Sequence, residues 1–431
     1  MTPDFLKKAS GLWTAQLAHK ASILGFSFLV GRSLDAAGVG VMATVLALCW
    51  IVGTIAGVGM PDRAVFRGAA EDLTAAHRRL YGLFLGAELV AHSALFLSVE
   101  LLCGTSDPAL VALSQGLIVG AGAQSMSSLG LGWLRGAGRP RFEIVATVLA
   151  ALVLVGGASV GVPLGVSWAA SGCVMLAGSL AGNLVGDGIT PLVPRPSDGP
   201  QMVSVGTGYL LFGLGAWLLG NVDILLARLS HTQDAVGALQ VGTMPVRGLG
   251  LVPWVAATLM LHGCRRDWSR GASPRTWAWV RNGTALGLLV AALAWIAVPL
   301  LARGHGIPVA AVERSAWASM IFAPVLYATI LLMPLSAQWS MGGTLRAVGM
   351  GLITQVGVGI SASDQLDVST VVVVAGLGQL VTLLWLVRTL SSSPHQGVEV
   401  NPSTALPGVG LTSNASSDLA SLEGGSVQVE E

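Results

Sequence analysis

The sequence predicts an all-α polytopic membrane protein in which about twelve transmembrane helices form two six-helix lobes. Three observations lead to this fold class. Only 10% of the 431 residues are charged, 53% are hydrophobic and the mean hydropathy is +0.72, whereas an ordinary soluble domain carries roughly 25% charged residues. Apolar runs long enough to cross a bilayer recur along most of the chain. In addition, one helical hairpin occurs twice, about half a chain apart.

Each predicted element follows from the length of its apolar run. A spanning helix needs about 20 mostly apolar residues, and runs this long and continuous are helices, because helices satisfy their own backbone groups in lipid. By this measure helices are predicted at about 11–31, 38–60, 80–102, 109–133, 142–162, 165–188, 203–228, 236–262, 277–302, 315–338, 342–361 and 368–390. The four cysteines lack metal-site spacing and are interpreted as small apolar residues: Cys49, Cys103, Cys173 and Cys264.

The domain organisation follows from composition. Residues 1–190 form the predicted N-terminal lobe with helices 1–6, and residues 202–390 form the C-terminal lobe with helices 7–12. The connection at 191–201 is rich in proline and polar residues, which is typical of a semi-rigid linker. Residues 391–431 are rich in Ser, Gly, Pro and acidic residues, so a disordered cytoplasmic tail is predicted.

Loop charge predicts the orientation in the membrane. Sixteen Lys and Arg residues fall on one set of alternate loops and four on the other, so the positive-inside bias places both termini in the cytoplasm. Six helices per lobe then give the two lobes the same orientation, which makes the duplication a parallel repeat about an axis along the membrane normal. A cell membrane, crossed many times, is the predicted location.

The repeated hairpin supports the duplication. In the first copy Arg32 precedes a short turn and the run Asp35–Val39, and in the second Arg228 precedes a longer turn and the run Asp234–Ala238, an offset of 199 (234 − 35). A second match pairs the segments 133–136 and 339–342 at an offset of 206 (339 − 133). At the hairpin offset, Asp223 and Arg247 correspond to Leu24 and Leu48. Their charges are therefore unique to the second lobe.

Polar residues inside the predicted spans are candidate functional residues. A charge at mid-membrane costs at least roughly 2.5–3.5 kcal/mol on insertion scales, and such residues commonly line substrate or ion pathways. In the first lobe, Gln16 and Lys20 share one face of helix 1, and Glu88 and His92 share one face near the middle of helix 3. Lys20 and Gln16 are candidate substrate-binding residues, and Glu88 and His92 are a candidate ion-coupling pair. The structural alternative is an internal pair between Lys20 and Glu88.

The second lobe has its own set of polar residues. Asn221 and Asp223 lie in helix 7, and Arg247 lies deep in helix 8 directly after Met244 and Pro245, where the proline should kink the helix. One interpretation places Arg247 in a central cavity as an anion-binding residue, with Asn221 and Asp223 as an ion-coupling site. The alternative is that Arg247 pairs with Asp223 and only holds two helices together.

The order of these motifs resembles a known family. The hairpin FLVGRSLDAAGVGVM (28–42), the segment GNVDILLARLSHTQDAVGALQVG (220–242) and the region 133–172 resemble bacterial O-antigen-type polysaccharide flippases, which move lipid-linked oligosaccharides. The resemblance implies the MATE-like fold of the multidrug/oligosaccharidyl-lipid/polysaccharide exporter superfamily, with two six-helix lobes around a cavity. It also implies transport of a polyprenyl diphosphate-linked glycan by alternating access. In that comparison Arg247 and Lys20 would hold the diphosphate.

Other functions remain open at this point. An ion-coupled drug or metabolite antiporter of the same fold would use Glu88 or Asp223 as its coupling carboxylate. A glycan polymerase or ligase is disfavoured, because such enzymes place catalytic basic residues in a sizeable outer loop and the predicted outer loops are short. A scaffold of a cell-envelope complex would use the charges only structurally.

The expected partners and cofactors follow from the transporter hypothesis. The sequence predicts no enzyme, no metal site and no cofactor apart from Na⁺ or H⁺ as a candidate coupling ion. The predicted partners are a lipid-linked glycan, membrane lipids and, in the same process, a polysaccharide polymerase or glycosyltransferases, with no nucleic acid.

Overall fold

The protein is described from a computed structural model. The structure describes residues 28–57, 73–103, 107–136, 140–161, 207–250, 273–361 and 367–392, together with a few positions in 14–26 and 252–268. By its contacts the chain divides into one body, Met1–Ser392, and a second unit, Ser393–Glu431. The predicted linker, the predicted helix at 165–188 and the predicted disordered tail lie outside the described residues.

The described residues form eleven helices, and none of them is in a strand. In chain order the helices are α1 (Ala36–Ala56), α2 (Leu73–Leu97), α3 (Val99–Cys103), α4 (Pro108–Gly136), α5 (Pro140–Gly161), α6 (Thr207–Ser230), α7 (Gln233–Leu249), α8 (Thr276–Gly304), α9 (Val309–Trp339), α10 (Met341–Ser361) and α11 (Val368–Ser391).

Most of the predicted helices that fall on described residues agree with these bounds to within a few residues, but α2 and α9 begin earlier than predicted, at Leu73 and Val309. Two predicted helices also differ in continuity. The third predicted helix is interrupted at Ser98 and continues as the short α3. The eighth was predicted to run unbroken to residue 262, whereas regular α7 ends at Leu249, Gly250 lies in a turn, and helical residues recur from 252 onward. Six spans in the described part of the chain are long and apolar enough to cross a membrane: Ala36–Ala56, Thr207–Ser230, Gln233–Trp254, Thr276–Gly304, Val309–Trp339 and Val368–Ser391.

The outer surface of the helices also fits a membrane. Large apolar side chains are exposed along α2, α8 and α10, for example Val90, Leu288 and Ile353. A soluble protein rarely exposes so much contiguous apolar surface, whereas lipid covers it without cost. The chain is therefore a multi-pass membrane protein.

The caps of α1 and α7 correct the register of the repeat. Asp35 caps α1, and its side chain accepts a hydrogen bond from the Gly38 N–H at 2.8 Å. Thr232 caps α7 in the same way, accepting from Ala235. The two caps are 197 residues apart (232 − 35), so the predicted offset of 199 was wrong by two residues. The reason is that Asp234 lies in the first turn of α7 and does not take the capping role of Asp35.

The first turns of α1 and α7 meet at backbone contact. A Cβ on Gly40 would collide with the Gln233 carbonyl oxygen, and a Cβ on Gly237 would collide with the Ala36 carbonyl oxygen. The contact is reciprocal and has the same 197-residue offset as the caps. Two glycines thus allow the two predicted lobes to touch through their main chains. We call the end of the body at which α1 and α7 begin the hairpin end.

Packing between the lobes is concentrated at the hairpin end. One hydrophobic cluster there joins α1 to residues of the second lobe such as Val241, Ala302 and Val312. A second cluster, around Phe212, Trp279 and Leu386, draws all its described members from the second lobe. α1 itself is fully buried from Gly38 to Val45 and becomes partly exposed beyond that point. The lobes are therefore closed at the hairpin end.

Candidate functional site

The second lobe holds a buried ion pair between α6 and α7. Arg247 Nη2 donates to Asp223 Oδ2, and the second carboxylate oxygen of Asp223 accepts the main-chain N–H of Ile224 at 3.0 Å. The Asp223 side chain is 2% exposed and that of Arg247 is 18% exposed. Arg247 Nη1 is buried and has no hydrogen-bond partner. One nitrogen of this guanidinium is therefore paired, while another is left for a further acceptor.

Arg247 lies where the regular structure of α7 ends. Pro245 has no N–H and removes one bond from the helix ladder. The Gly250 N–H bonds the Arg247 carbonyl at 3.0 Å, and the buried Tyr327 hydroxyl donates to the Val246 carbonyl at 2.9 Å. Tyr327 on α9 thus satisfies a carbonyl that α7 leaves free. Backbone interrupted at membrane depth is tolerated where protein or a water-filled cavity surrounds it.

A small polar cavity adjoins the ion pair. Its volume is about 30 Å³, which exceeds the roughly 10–15 Å³ that one water molecule needs. Its polar lining comes from four helices: Asp223, Thr243, Arg247, Ser319 and Gln379. The cavity has room for water beside the guanidinium but not for a diphosphate.

Asn221 does not join this site. Its amide donates to the Trp217 carbonyl of its own helix at 3.0 Å, and it does not line the cavity. Behind the ion pair, Gln355 of α10 donates to the carbonyls of Leu219 and Ala375 at 3.1 and 2.8 Å. The Gln355 amide thus connects α10 to both α6 and α11, so the helix that carries Asp223 is anchored on the side away from Arg247.

The first lobe holds a second buried polar cluster. Glu88 is fully buried, and its Oε1 accepts a hydrogen bond from the Ser125 hydroxyl of α4 at 2.7 Å. His92 Nδ1 lies 2.9 Å from the Glu88 carbonyl oxygen and 3.1 Å from Glu88 Oε2. A single N–H serves one of these acceptors at a time, and His92 Nε2 has no partner. Glu88 and His92 are thus adjacent, as their spacing predicted.

Two glycines give this cluster its space. A Cβ on Gly53 of α1 would lie 2.6 Å from Ser125 Oγ, and a Cβ on Gly122 of α4 would lie 3.0 Å from His92 Cγ. Two helices, α1 and α4, therefore pack against the carboxyl and imidazole of α2 with no room for larger side chains at the two glycines. The carboxyl of Glu88 and the imidazole of His92 are therefore both buried in the body.

An apolar groove lies on the other side of α2. It is an open recess of about 690 Å³ between the end of α1 and the middle of α2. Its lining carries no charged side chain among the described residues and consists of Val52, Ile55, Ala56, Gly86, Ala87, Val90 and Ala91. Val90 is 70% exposed, so the groove opens towards the face that lipid covers.

The sequence identified some of these residues and missed others. Lys20 and Gln16 lie outside the described residues, so their predicted role stays a prediction. The sequence singled out Asp223, Arg247, Glu88 and His92. It missed the uncharged partners, which are Ser125, Thr243, Ser319, Gln355 and Gln379. Polar side chains inside otherwise apolar spans were the available signal, because each needs a hydrogen-bond partner in lipid.

Comparison with known proteins is informative only at the level of structure. No protein-family model and no curated protein sequence matches the chain. Solved structures do match. A MATE protein crystallised with MaD5 superposes with a TM-score of 0.62 at 14% identity, covering 88% of this chain and 93% of that one. The fold is that of the MATE transporters.

Two further structures extend the likeness. The outward-facing conformation of a multidrug resistance MATE transporter of the MOP superfamily gives a TM-score of 0.60 at 14% identity, covering 88% of this chain and 92% of that one. A MOP superfamily transporter from Pyrococcus furiosus, described as having a binding pocket of reverse polarity, gives 0.56 at 15% identity, covering 90% and 97%. At these identities the likeness shows the fold alone.

Local contacts between the lobes determine which end of the body is closed. An inward-facing MATE structure matches with a TM-score of 0.51, lower than the outward-facing one at 0.60. The score averages over a whole chain of low identity, whereas the meeting of Gly40 and Gly237 is a local backbone contact between the lobes. That contact shows which end of this body is closed.

Proposed function

We propose that the protein is a flippase that carries a polyprenyl diphosphate-linked oligosaccharide across the bacterial cell membrane by alternating access. The observation that supports this most is Arg247, a guanidinium held at a break in α7, balanced by one carboxylate and left with an unpartnered Nη1. A guanidinium matches phosphate oxygens in charge and fork geometry. No other deeply placed cation within a described span has this arrangement.

The closed hairpin end gives the transport cycle a starting point. The charge distribution predicts that the hairpin end faces outward. Contact between the lobes there closes the outer side, while α1 becomes exposed towards the other end. The substrate then loads from the cytoplasm, where glycosyltransferases assemble it, and leaves on the side where a polysaccharide polymerase uses it.

Loading must rearrange the second lobe. The 30 Å³ cavity is too small for a diphosphate, and Asp223 already holds Arg247. An incoming diphosphate therefore competes with Asp223 for the guanidinium, and α6 and α7 separate as it enters. Pro245 and the end of α7 at Leu249 supply the hinge.

The lipid part of such a substrate also needs a path. The apolar groove between α1 and α2 is open to the lipid face and lined only by apolar side chains and glycine among its described residues. A prenyl chain can lie there while the polar head group is inside the body. A water-soluble substrate would not require this groove.

Binding of farnesyl diphosphate, a short prenyl diphosphate, to the purified protein tests the proposal. We expect saturable binding that is at least about tenfold weaker in Arg247→Gln, which corresponds to about 1.4 kcal/mol for a lost charge-assisted bond. Arg346→Gln is the matched control, because Arg346 is exposed on α10 and should bind normally. Equal binding by both variants, or none by the wild type, would refute the proposal.

An ion-coupled drug or metabolite antiporter is a second candidate. The Glu88–His92–Ser125 cluster favours it, because a buried carboxyl beside an imidazole suits proton exchange better than diphosphate binding. H⁺ fits this cluster better than Na⁺, which needs several oxygen ligands. Glu88→Gln should then abolish dye export driven by a proton gradient, while Glu100→Gln, an exposed control, should not. Export that survives Glu88→Gln would exclude this function.

A further inference from the structure

A histidine at the hairpin end belongs to neither polar site. His305 follows the last residue of α8 and is 4% exposed. It is followed by Gly306, whose φ of 66° lies in the left-handed region and turns the chain sharply towards α9. The ring therefore points back into the body from a fixed turn.

The surroundings of His305 come from both lobes. Its ring meets Phe28 of the first lobe edge to face, with centroids 5.4 Å apart at an angle of 81°. A Cβ on Gly31 would lie 2.7 Å from His305 Cε1. Ile307 and Val30 belong to the hydrophobic cluster that closes the hairpin end. His305 is thus a second-lobe side chain inserted into the first lobe at the closure.

The imidazole is buried without polar contacts. Neither Nδ1 nor Nε2 has a hydrogen-bond partner, and no described carboxylate forms an ion pair with it. The charged residues of the elements around it are all exposed: Arg32, Asp35, Arg303, Glu313 and Arg314. Asp35 accepts from the Gly38 N–H, and Arg314 pairs with Asp367. Among the described residues around the ring, none is placed to balance a positive charge.

We propose that His305 is a pH-sensitive latch of the closure at the hairpin end. The neutral ring fits its apolar pocket and holds the lobes together. A protonated ring places an unpaired charge there, which is costly in an apolar site. Acidification on that side therefore opens the hairpin end and favours release. This latch acts on the closure at the hairpin end whichever substrate is carried.

Distance measurements between two spin labels test the latch. Labels are placed at Ser33 and Ser230, exposed and uncharged positions on opposite lobes at this end, in a cysteine-free protein in lipid nanodiscs. The distance is measured at several values between about pH 8 and pH 5, the range in which an imidazole titrates. We expect a single short distance at pH 8 and growth of a longer one as the pH falls.

Substitutions decide whether His305 is the cause. His305→Gln and His305→Phe cannot take up the proton, so both should keep the short distance at every pH; either one that folds is sufficient. His231→Gln is the matched control, since His231 lies in the α6–α7 turn at the same end and is only half-buried. It should respond to pH as the wild type does. A wild-type distance independent of pH, or an unchanged response in a folded His305 variant, would overturn the proposal.

Discussion

At the scale of single residues, the Asp223–Arg247 pair is the feature that most needs a physical reason. Both groups lie inside a membrane-spanning body, where an isolated charge is expensive. Together they are nearly neutral, and Asp223 gains a second hydrogen bond from the Ile224 N–H. The pair therefore stabilises the contact between α6 and α7 while keeping a guanidinium in the interior. With the corrected offset of 197, its partners in the first lobe are Phe26 (223 − 197) and Trp50 (247 − 197), so the charges are not inherited from the repeat.

A double-mutant cycle should show strong coupling between the two residues. Asp223→Asn or Arg247→Gln alone leaves one buried charge unpaired, which costs about 3–5 kcal/mol for a well-buried pair. The partial exposure of Arg247 places the loss at the lower end of that range. The combined variant removes both charges and should recover most of the lost stability. The unfolding temperature is measured in detergent for the wild type, the two single variants and the combined variant. Additive losses of stability would mean that the two residues are not coupled.

Asp367 allows a pH prediction outside the membrane spans. Its pKa lies below the usual range, mainly because the Ser369 hydroxyl donates to the carboxylate at 2.9 Å, with a smaller effect from Arg314 at 3.2 Å. A lowered folded-state pKa means that the stabilisation is present above the unfolded pKa of about 3.9 and is lost as the pH falls through the folded value.

The variant Asp367→Asn should therefore be slightly less stable than the wild type at pH 7, and the difference should shrink below about pH 4. The effect is small because both partners are largely exposed and solvent screens the pair. Chemical unfolding at pH 7 and pH 3 measures it. A difference that grows on acidification would contradict the sign of the pKa shift.

The sequence allowed only part of the site to be predicted at this scale. Charged residues in apolar runs were visible, so Asp223, Arg247, Glu88 and His92 could be named. Whether Arg247 faces a cavity or Asp223 depends on how two helices are rotated about their axes. The hydrophobic periodicity of a sequence does not determine that rotation to better than a few tens of degrees. His305 carried no signal, because a histidine after a helix end is ordinary in sequence and unusual only in its burial.

At the scale of elements, helix bounds were predictable because apolar length and capping residues determine them. α8, α9 and α11 begin and end within a few residues of the predicted positions, apart from the N-terminus of α9, which starts at Val309 and not at 315. The end of α7 was not predicted. Pro245 was recognised as a kink, but the helix stops only four residues later, where Tyr327 binds the Val246 carbonyl. A long-range contact of this kind leaves no local mark.

The glycine contact between α1 and α7 makes a sharp prediction. Gly237→Ala places a methyl group against the Ala36 carbonyl, so the hairpin end should fail to close and the unfolding temperature should fall. Gly349→Ala on α10 is the control, because no atom lies within 4 Å of the added Cβ. There the change should be neutral or stabilise by about 0.4–1 kcal/mol. The spin-label pair at Ser33 and Ser230 reports the opening, and equal behaviour of the two variants would mean that the glycines do not set the approach.

At the scale of the whole molecule, the order of motifs was enough to predict a MATE-like fold, and the structure confirms it. Composition excluded a soluble protein, and the repeated hairpin indicated duplication. Composition and motif order could not predict how the two lobes are arranged. Which end is closed depends on side-chain size at Gly40 and Gly237 and on a cluster that combines residues from both halves of the chain. Such contacts join positions about 200 residues apart, and single-sequence periodicity does not report them.

Three features of the molecule fit one class of substrate. A closure at the hairpin end, a guanidinium near a helix break, and an apolar groove on the lipid side together suit a substrate with a charged head and a hydrocarbon tail. The buried pair of Glu88 and His92 is compatible with coupling to an ion gradient in either of the two proposed functions. Only a transport assay distinguishes the two proposed functions.

Flipping of a labelled lipid in reconstituted vesicles tests the proposed transport function. A fluorescent polyprenyl diphosphate-linked oligosaccharide is placed in the membrane, and a membrane-impermeant quencher measures the fraction that crosses. We expect wild-type protein and Arg346→Gln to move the lipid, and Arg247→Gln to move it at least about tenfold more slowly. Flipping by the wild type no faster than in protein-free vesicles, or flipping unaffected by Arg247→Gln, would contradict the account.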